Sequence, residues 1–238
     1  MNTTQQATTV DKDLILRKGL RNVLGIVLIT GGSLFIPSGD LAWPQPWIIL
    51  GLYALYYAFF IPWGLRNAPE LLEERATSLQ KEDQKSWDGL ILRLYFLLLI
   101  GLYLVAGLDH RYSWTLLPDW ALWLGFILII PAYLLPLWAL KNNPYASGVV
   151  RIQDDRSQQV ATSGPYQYVR HPMYTATLFF GLGAPLFLDS WWALLPGILM
   201  AALFVLRTAL EDRTLQTELA GYKEFTQQTR YRLIPGIW

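Results

Sequence analysis

The sequence predicts an all-α, polytopic integral membrane protein with about six transmembrane helices, the last two forming a tight hairpin. Three observations support this fold class. The 238-residue chain is 53% hydrophobic and 16% charged, whereas soluble domains usually carry about 25% charged residues. Several apolar segments approach the ~20 residues that a spanning helix needs. Several of the 11 tryptophans lie near the ends of these segments, as is typical of a membrane interface.

Six apolar segments follow one another along the chain. The fourth contains Pro131 and Pro136, which membrane helices tolerate because neighbouring groups re-satisfy the freed carbonyls. Only Asp189 and Ser190 separate the last two segments, which predicts the hairpin. Each arm reaches about 23 Å at ~1.5 Å per residue, so the hairpin either spans with tilt and local thinning or re-enters the membrane. The six segments are Val23–Pro37, Trp47–Trp63, Leu90–Leu108, Trp120–Leu140, Tyr174–Leu188 and Trp191–Leu206.

The basic residues lie almost entirely on one side of these segments. Of the 19 lysines and arginines, all except Arg111 fall in the N-terminal arm, in the loops after the second and fourth segments, or in the C-terminal tail. The positive-inside rule then places both termini and these loops in the cytoplasm. Because the chain is compact, we expect a prokaryotic cell (inner) membrane.

Composition excludes several classes of function. A net charge of +1 gives no basic excess for nucleic acid, and the lack of cysteine excludes disulfides and a cysteine nucleophile. His110 and His171 are far apart in the sequence, so we expect no metal centre. The polar segment Met1–Val10 lacks the order of a signal peptide and is expected to be a disordered tail. The oligomeric state stays open.

Two polar parts of the chain are predicted to have structure of their own. Val149–Gln153 and Gln158–Ala161 are expected to be extended pieces joined by a turn. The tail Thr208–Thr229 is expected to be an amphipathic helix that lies on the membrane or caps a cytoplasmic site. The apolar side chains at helical spacing in this tail are Leu215, Leu219, Tyr222 and Phe225.

The chemistry-bearing residues flank the predicted hairpin. Gly164–Tyr174 (GPYQYVRHPMY) precedes it, and the acid pair Glu211-Asp212 follows it. A transporter would normally carry ionisable residues at mid-membrane, whereas these groups lie at the cytoplasmic ends of apolar segments. A site at that level suits a reaction between a water-soluble cofactor and a lipid-anchored substrate.

These residues, with the closing Arg230–Gly236 (RYRLIPG), resemble the isoprenylcysteine carboxyl methyltransferase family. The signature of that family is Arg-His-Pro-x-Tyr-x-Gly, an apolar hairpin, and then Glu-Glu. Phospholipid methyltransferases are similar over the same region. Two positions depart from the signature: Ala176 occupies the position of its glycine, and Asp212 occupies the position of its second glutamate.

The resemblance implies S-adenosyl-L-methionine as the methyl donor, S-adenosyl-L-homocysteine as the product and a lipidic substrate that enters from the bilayer. It implies a single domain over 1–238, with a four-helix membrane part over 1–140 and a cofactor-binding part over 141–238. Arg207 and Glu211 are implied to be catalytic, with Arg207 binding the substrate on the same helix face. The implied cofactor-binding residues are Gln153, Gln158, Gln159, Val160, Ala161, Tyr166, His171, Pro172, Met173, Tyr174 and Glu211.

Other interpretations stay open. N-methylation of an aminophospholipid would need Glu211 or Asp212 as a base, because an amine must lose a proton before it attacks. A membrane reductase would need a nicotinamide cofactor, and a lipid-binding protein would keep the fold without an activity. Arg170 is expected to reach lipid phosphates, as interfacial arginines do. Asp109–Arg111 are expected to be outer loop residues.

Overall fold

The structure is a computed structural model that describes residues 12–238, except for the side chain of Leu79. The predicted tail Met1–Val10 lies outside the described residues. Over the described range the secondary structure is helical, with short 3-10 turns at Ser78–Gln80, Asp154–Arg156 and Gly164–Gln167. The α-helices are α1 (Lys12–Ser38), α2 (Pro44–Asn67), α3 (Pro69–Thr77), α4 (Ser86–Tyr112), α5 (Asp119–Asn142), α6 (Pro172–Phe187), α7 (Leu194–Glu218) and α8 (Tyr222–Gln228).

Five of the described helices, namely α1, α2, α4, α5 and α7, are long and apolar enough to cross a membrane. This confirms the prediction of an all-α, polytopic membrane protein. The fifth predicted segment, Tyr174–Leu188, corresponds to α6, which has 16 residues and therefore measures about 24 Å at ~1.5 Å per residue. That length is below the ~30 Å of a bilayer core.

The predicted hairpin is formed by α6 and α7, which pack closely because glycines face each other. A Cβ atom added at Gly197 of α7 would overlap the carbonyl oxygen of Gly181 in α6. Small residues at such a crossing let two membrane helices approach until their backbones touch. The other side of α6 packs against α5, so α6 lies between two longer helices.

The C-terminal tail differs from the single amphipathic helix predicted over Thr208–Thr229. The last spanning helix α7 continues to Glu218, and the chain then turns at Leu219–Gly221 before α8 begins. Gly221 has φ of 80°, a left-handed conformation that favours glycine. The turn folds α8 back so that Tyr222 and Phe225 are buried rather than resting on a membrane surface.

The loop between α5 and α6 contains the predicted turn. The amide of Gln158 donates to the carbonyl of Gln153 at 3.2 Å, around the 3-10 turn Asp154–Arg156. The flanking pieces pair with no strand in the described part of the chain. The C-terminal segment packs beside the end of this loop. The amides of Arg170 and His171 donate to the carbonyls of Tyr231 and Arg232, each at 2.9 Å.

The interpretation of Asp109–Arg111 as outer loop residues is wrong. All three lie in the last turn of α4. Asp109 is buried and accepts hydrogen bonds from Thr115 at 2.6 Å and from Ser190. Since Ser190 lies between α6 and α7, this carboxylate holds the connection of the hairpin against α4.

Candidate active site

A pocket, with an empty space of about 790 Å³ that includes its open mouth, lies where the first turn of α6, the last turns of α7, α8 and the loop after α5 meet. All the residues implied to bind the cofactor line it: Gln153, Gln158, Gln159, Val160, Ala161, Tyr166, His171, Pro172, Met173, Tyr174 and Glu211. The structure thus brings the implied set together, and its role in binding a cofactor stays a prediction.

The two ends of the hairpin meet at Asp212. This carboxylate has an exposed fraction of 0%. It accepts from Arg170 Nε at 2.8 Å, Arg170 Nη2 at 3.0 Å and the Tyr222 hydroxyl at 3.0 Å. Arg232 Nε donates at 2.9 Å, and His171 Nε2 lies 3.3 Å away. Asp212 therefore joins the start of α6, the end of α7, α8 and the C-terminal segment.

The expectation that Arg170 reaches lipid phosphates is wrong. Its side chain is buried, and its Nη1 donates to the carbonyls of Thr229 and Arg230 at 3.0 and 3.1 Å. Together with the two bonds to Asp212, these contacts engage all three guanidinium nitrogens inside the protein. A buried arginine held in this way fixes the C-terminal segment against the pocket.

Two tyrosines that line the pocket are held in the neutral form. Burial raises the pKa of Tyr166 to about 12, and its hydroxyl accepts from Asn143 Nδ2 at 3.1 Å. Burial and the charge of Asp212 raise the pKa of Tyr222. Tyr222 thus stays protonated at neutral pH and donates to Asp212.

Glu211 presents its carboxylate to the pocket. Its Oε2 accepts a short hydrogen bond from the hydroxyl of Tyr174, while Oε1 has no partner among the described residues. The ring of Tyr174 stacks on His171, with 5.6 Å between centroids and 10° between planes. Tyr174 therefore orients Glu211 while leaving one carboxylate oxygen available to a cationic ligand.

Arg207 lies behind Tyr174 rather than in this pocket. Its exposed fraction is 4%, and its Cζ is 4.9 Å from the centroid of the Tyr174 ring. Asp88 accepts from Nε at 2.7 Å and from Nη2 at 3.3 Å, and the carbonyl of Gly148 accepts from Nη2 at 3.1 Å. Among the described residues, Nη1 has no hydrogen-bond partner.

Arg207 lines a second cavity, of about 930 Å³, which we call the tyrosine chamber. Its walls come from α2, α4, α5, α6 and α7, so it extends among the apolar helices. The two cavities share the residues Ser147, Met173 and Tyr174, which form the wall between them. The side chains that define the tyrosine chamber are Tyr53, Tyr56, Tyr57, Tyr95, Tyr133 and Phe180, with Arg75 and Arg207.

Ion pairs made by the buried side chains of Arg151 and Glu74 hold the loop after α5 in place. Arg151 pairs with Glu74 at 3.3 Å and with Asp155 at 2.8 Å. Glu74 also pairs with Lys81 at 2.9 Å and accepts from Ser147 at 2.7 Å. Burial opposes ionisation, yet the bonds from Lys81 and Ser147 and the charge of Arg151 lower the pKa of Glu74 below its ordinary value. The loop is thereby fixed beneath the pocket.

Several pocket residues were not identified from the sequence. They belong to the loop after α5, where neither spacing nor charge marks them. Asp88 was also missed, because an acid in the first turn of a helix ordinarily stabilises the helix dipole. The pocket residues in this group are Asn143, Tyr145, Ala146, Ser147, Val149, Val150 and Arg151.

The pocket suits S-adenosyl-L-methionine by the chemistry of its lining. Glu211 offers a free carboxylate oxygen to the cationic part of the molecule. Asp212 binds Nε2 of His171, which leaves Nδ1 as the nitrogen for a ligand. Half-buried and buried apolar side chains elsewhere in the lining offer a surface for a planar base: Val160, Ala161, Leu215, Leu219 and Phe225.

Residues 120–220 match the model of the phospholipid methyltransferase family. The matched segment runs from the start of α5 to the turn after α7 and includes the residues of the site from Tyr166 to Asp212. This confirms the relation to phospholipid methyltransferases predicted from the sequence. With the five apolar helices, it supports a multi-pass integral membrane methyltransferase acting on lipid-like substrates. No curated protein matches the chain.

Proposed function

We propose that the protein is an S-adenosyl-L-methionine-dependent methyltransferase that methylates the carboxylate of an isoprenylcysteine-like or other lipidic substrate. One observation carries this proposal. A polar pocket and a cavity among apolar helices share a wall made of Ser147, Met173 and Tyr174. A soluble methyl donor and a lipid acceptor can therefore approach each other from two sides.

On the pocket side, Glu211 holds the cationic part of the donor, and Tyr174 keeps the carboxylate in place. Held there by Glu211, S-adenosyl-L-methionine would supply an electrophilic methyl group, which would pass to the acceptor oxygen as the S–CH3 bond breaks and sulfur keeps the electron pair. Because this displacement needs alignment more than acid or base chemistry, the rest of the pocket contributes orientation and the exclusion of water.

On the chamber side, Arg207 is the residue that contacts the acceptor. A carboxylate is already ionised at neutral pH, so it needs no base, and Nη1 of Arg207 can donate a charge-assisted hydrogen bond to it. The hydrophobic tail occupies the chamber among the helices. The chamber reaches Tyr53, which lies 14 residues, or about 21 Å, before the end of α2. Because the chamber extends this far along a spanning helix, we expect the acceptor to enter it from the bilayer.

We infer that both termini and the site face the cytoplasm of a prokaryotic cell, in the inner membrane. The support is the charge distribution, with Arg111 the single basic residue at the other end of the spans. The cofactor is soluble and cytoplasmic, so this orientation places the pocket where the cofactor is made.

Replacement of Arg207 tests the proposal. Purified protein should bind S-adenosyl-L-homocysteine in calorimetry and transfer labelled methyl to N-acetyl-S-farnesyl-L-cysteine. Arg207→Ala should reduce turnover about 100-fold, because the acceptor is no longer held in line, and leave the S-adenosyl-L-homocysteine affinity of the folded protein nearly unchanged. It should also lower stability by about 3–5 kcal/mol, because buried Asp88 loses its partner.

Arg207→Lys is the control for folding, since it keeps a charge beside buried Asp88 but loses the planar guanidinium. Equal loss of affinity and turnover in Arg207→Ala would refute the assigned role. If the wild type binds no S-adenosyl-L-homocysteine, a lipid-binding protein without enzymatic activity is the better interpretation.

N-methylation of an aminophospholipid is the second candidate, favoured by the match to the phospholipid methyltransferase family. It would require Glu211 Oε1 as the base, because both carboxylate oxygens of Asp212 already accept hydrogen bonds within the protein. The pH profile separates the two reactions. A carboxylate acceptor should keep its rate down to mildly acidic pH, whereas an amine acceptor should lose it steeply below neutrality.

A further inference from the structure

Arg75, in the last turn of α3, lines the tyrosine chamber. Its Nη1 donates to the carbonyls of Ala146 and Ser147 at 3.1 and 3.5 Å, and these are its hydrogen bonds to the described residues, so Nε and Nη2 donate to none of them. The neighbouring Glu74 is directed away from it, to Arg151 and Lys81.

The lack of a carboxylate partner distinguishes Arg75 within the described part of the chain. Every other arginine there that is buried or half-buried has an acidic partner. These pairs are Arg151 with Glu74, Asp83 and Asp155, Arg156 with Glu70, Arg170 and Arg232 with Asp212, and Arg207 with Asp88. A half-buried arginine without such a partner faces a desolvation cost that an anionic ligand would offset.

The charge balance of the tyrosine chamber follows from these contacts. Arg207 is neutralised by Asp88, so the net positive charge at the chamber comes from Arg75. Both guanidiniums bond to consecutive carbonyls of one segment, at Ala146, Ser147 and Gly148, which places them at the same edge of the chamber. An anionic group there meets two sets of donors, whereas an ammonium group would meet an uncompensated cation.

We propose that Arg75 binds an anionic oxygen group of the lipid acceptor, a carboxylate or a phosphate, at the edge of the tyrosine chamber. This rests on the proposed function. It assigns to Arg75 the charge recognition of the acceptor, while Arg207, already paired, contributes one directional donor. The phenols that line the chamber provide further donors around an apolar tail.

Competition binding tests the assignment. The protein, in an uncharged detergent, is given labelled oleate, and the competitors are unlabelled oleate, oleyl phosphate, oleyl alcohol and oleylamine. We expect the wild type to bind the anionic lipids at least about tenfold more tightly than the alcohol. Arg75→Gln should bring the anions and the alcohol to within about twofold, and Arg75→Lys should be intermediate. Arg66→Gln, an exposed arginine at the end of α2, should behave as the wild type.

Affinity for S-adenosyl-L-homocysteine, measured on the same samples, should be equal in all variants. Tighter competition by oleate identifies a carboxylate as the recognised group, and tighter competition by oleyl phosphate identifies a phospholipid phosphate. Equal binding of alcohol or amine by the wild type overturns the proposal. The proposal is also overturned if Arg75→Gln still prefers anions, or if that variant loses affinity for S-adenosyl-L-homocysteine as strongly as for the anionic lipids. A wild type that prefers anions but transfers no methyl group refutes the proposed function and not this assignment.

Discussion

Asp212→Asn is expected to abolish binding of S-adenosyl-L-homocysteine and methyl transfer together, and to destabilise the protein by about 3–5 kcal/mol. The carboxylate is fully buried and accepts from Arg170, Arg232 and Tyr222. Asparagine has one acceptor oxygen and presents an NH2 group to donors, so the buried charge of Arg170 loses its partner. Removing one member of a buried ion pair costs this much because the other charge stays desolvated.

Thermal unfolding and calorimetry of the purified variant measure the effect, and a fall in the midpoint of about 10 °C is expected. Glu218→Gln is the matched control: it removes an acid from the same helix whose pair with Lys85 is partly exposed, so the change should stay below about 1 kcal/mol. A variant at Asp212 that unfolds like the wild type and still binds S-adenosyl-L-homocysteine would contradict the structural role.

The conservative change Asp212→Glu introduces the second glutamate of the isoprenylcysteine carboxyl methyltransferase signature that the sequence resembles. It keeps the charge, so Arg170 and Arg232 keep a partner, but it adds a methylene where the site is closely packed. Overpacking of a buried position costs about 1–3 kcal/mol. Binding of S-adenosyl-L-homocysteine is therefore expected to persist with a smaller loss of stability than in Asp212→Asn.

The sequence was sufficient to predict the spans and the meeting of the two hairpin ends. Long apolar runs specify membrane helices almost by themselves, because a bilayer leaves few other ways to satisfy the backbone. The spacing of the motif before α6 and of the acids after it then brings His171 and Tyr174 to Asp212 and Glu211, since two helices of similar apolar length return the chain to its starting side.

The partners of the arginines could not be predicted in this way. Asp88 and Arg207 are 119 positions apart, and no local pattern relates them. Arg170 was expected at a lipid surface, because its burial depends on the carbonyls of Thr229 and Arg230 in a segment that packs only in the folded protein. Long-range pairing of this kind is decided by packing of the whole chain and not by propensity or spacing.

Glu211→Gln is expected to reduce methyl transfer about 100-fold and affinity for S-adenosyl-L-homocysteine about tenfold, with little change in stability. In contrast to Asp212, Glu211 is half-buried and has a single described hydrogen bond, from Tyr174. Its free oxygen faces the pocket, so the amide removes a charge-assisted contact to the ligand. A reacting group displaced by ~1 Å can lose a factor of about 100 in rate.

The variant Tyr174→Phe tests whether Glu211 must be held in position by Tyr174, because it leaves the charge of Glu211 unchanged. It keeps the ring that stacks on His171 and lies beneath Arg207, but it removes the hydrogen bond to Glu211. If Glu211 acts from a fixed position, turnover should fall about tenfold while affinity changes less than in Glu211→Gln. Glu224→Gln, an exposed acid of α8, controls for the loss of one negative charge.

The thermal unfolding of the two variants distinguishes a structural role from a ligand-binding role for Glu211. If Glu211→Gln unfolds as early as Asp212→Asn, Glu211 is a structural residue and the pocket has lost its candidate cation ligand. If Glu211→Gln is as stable as the wild type and as active, the ligand role is wrong. Only loss of affinity and turnover at unchanged stability agrees with a carboxylate that is oriented by Tyr174 and left open toward the bound donor.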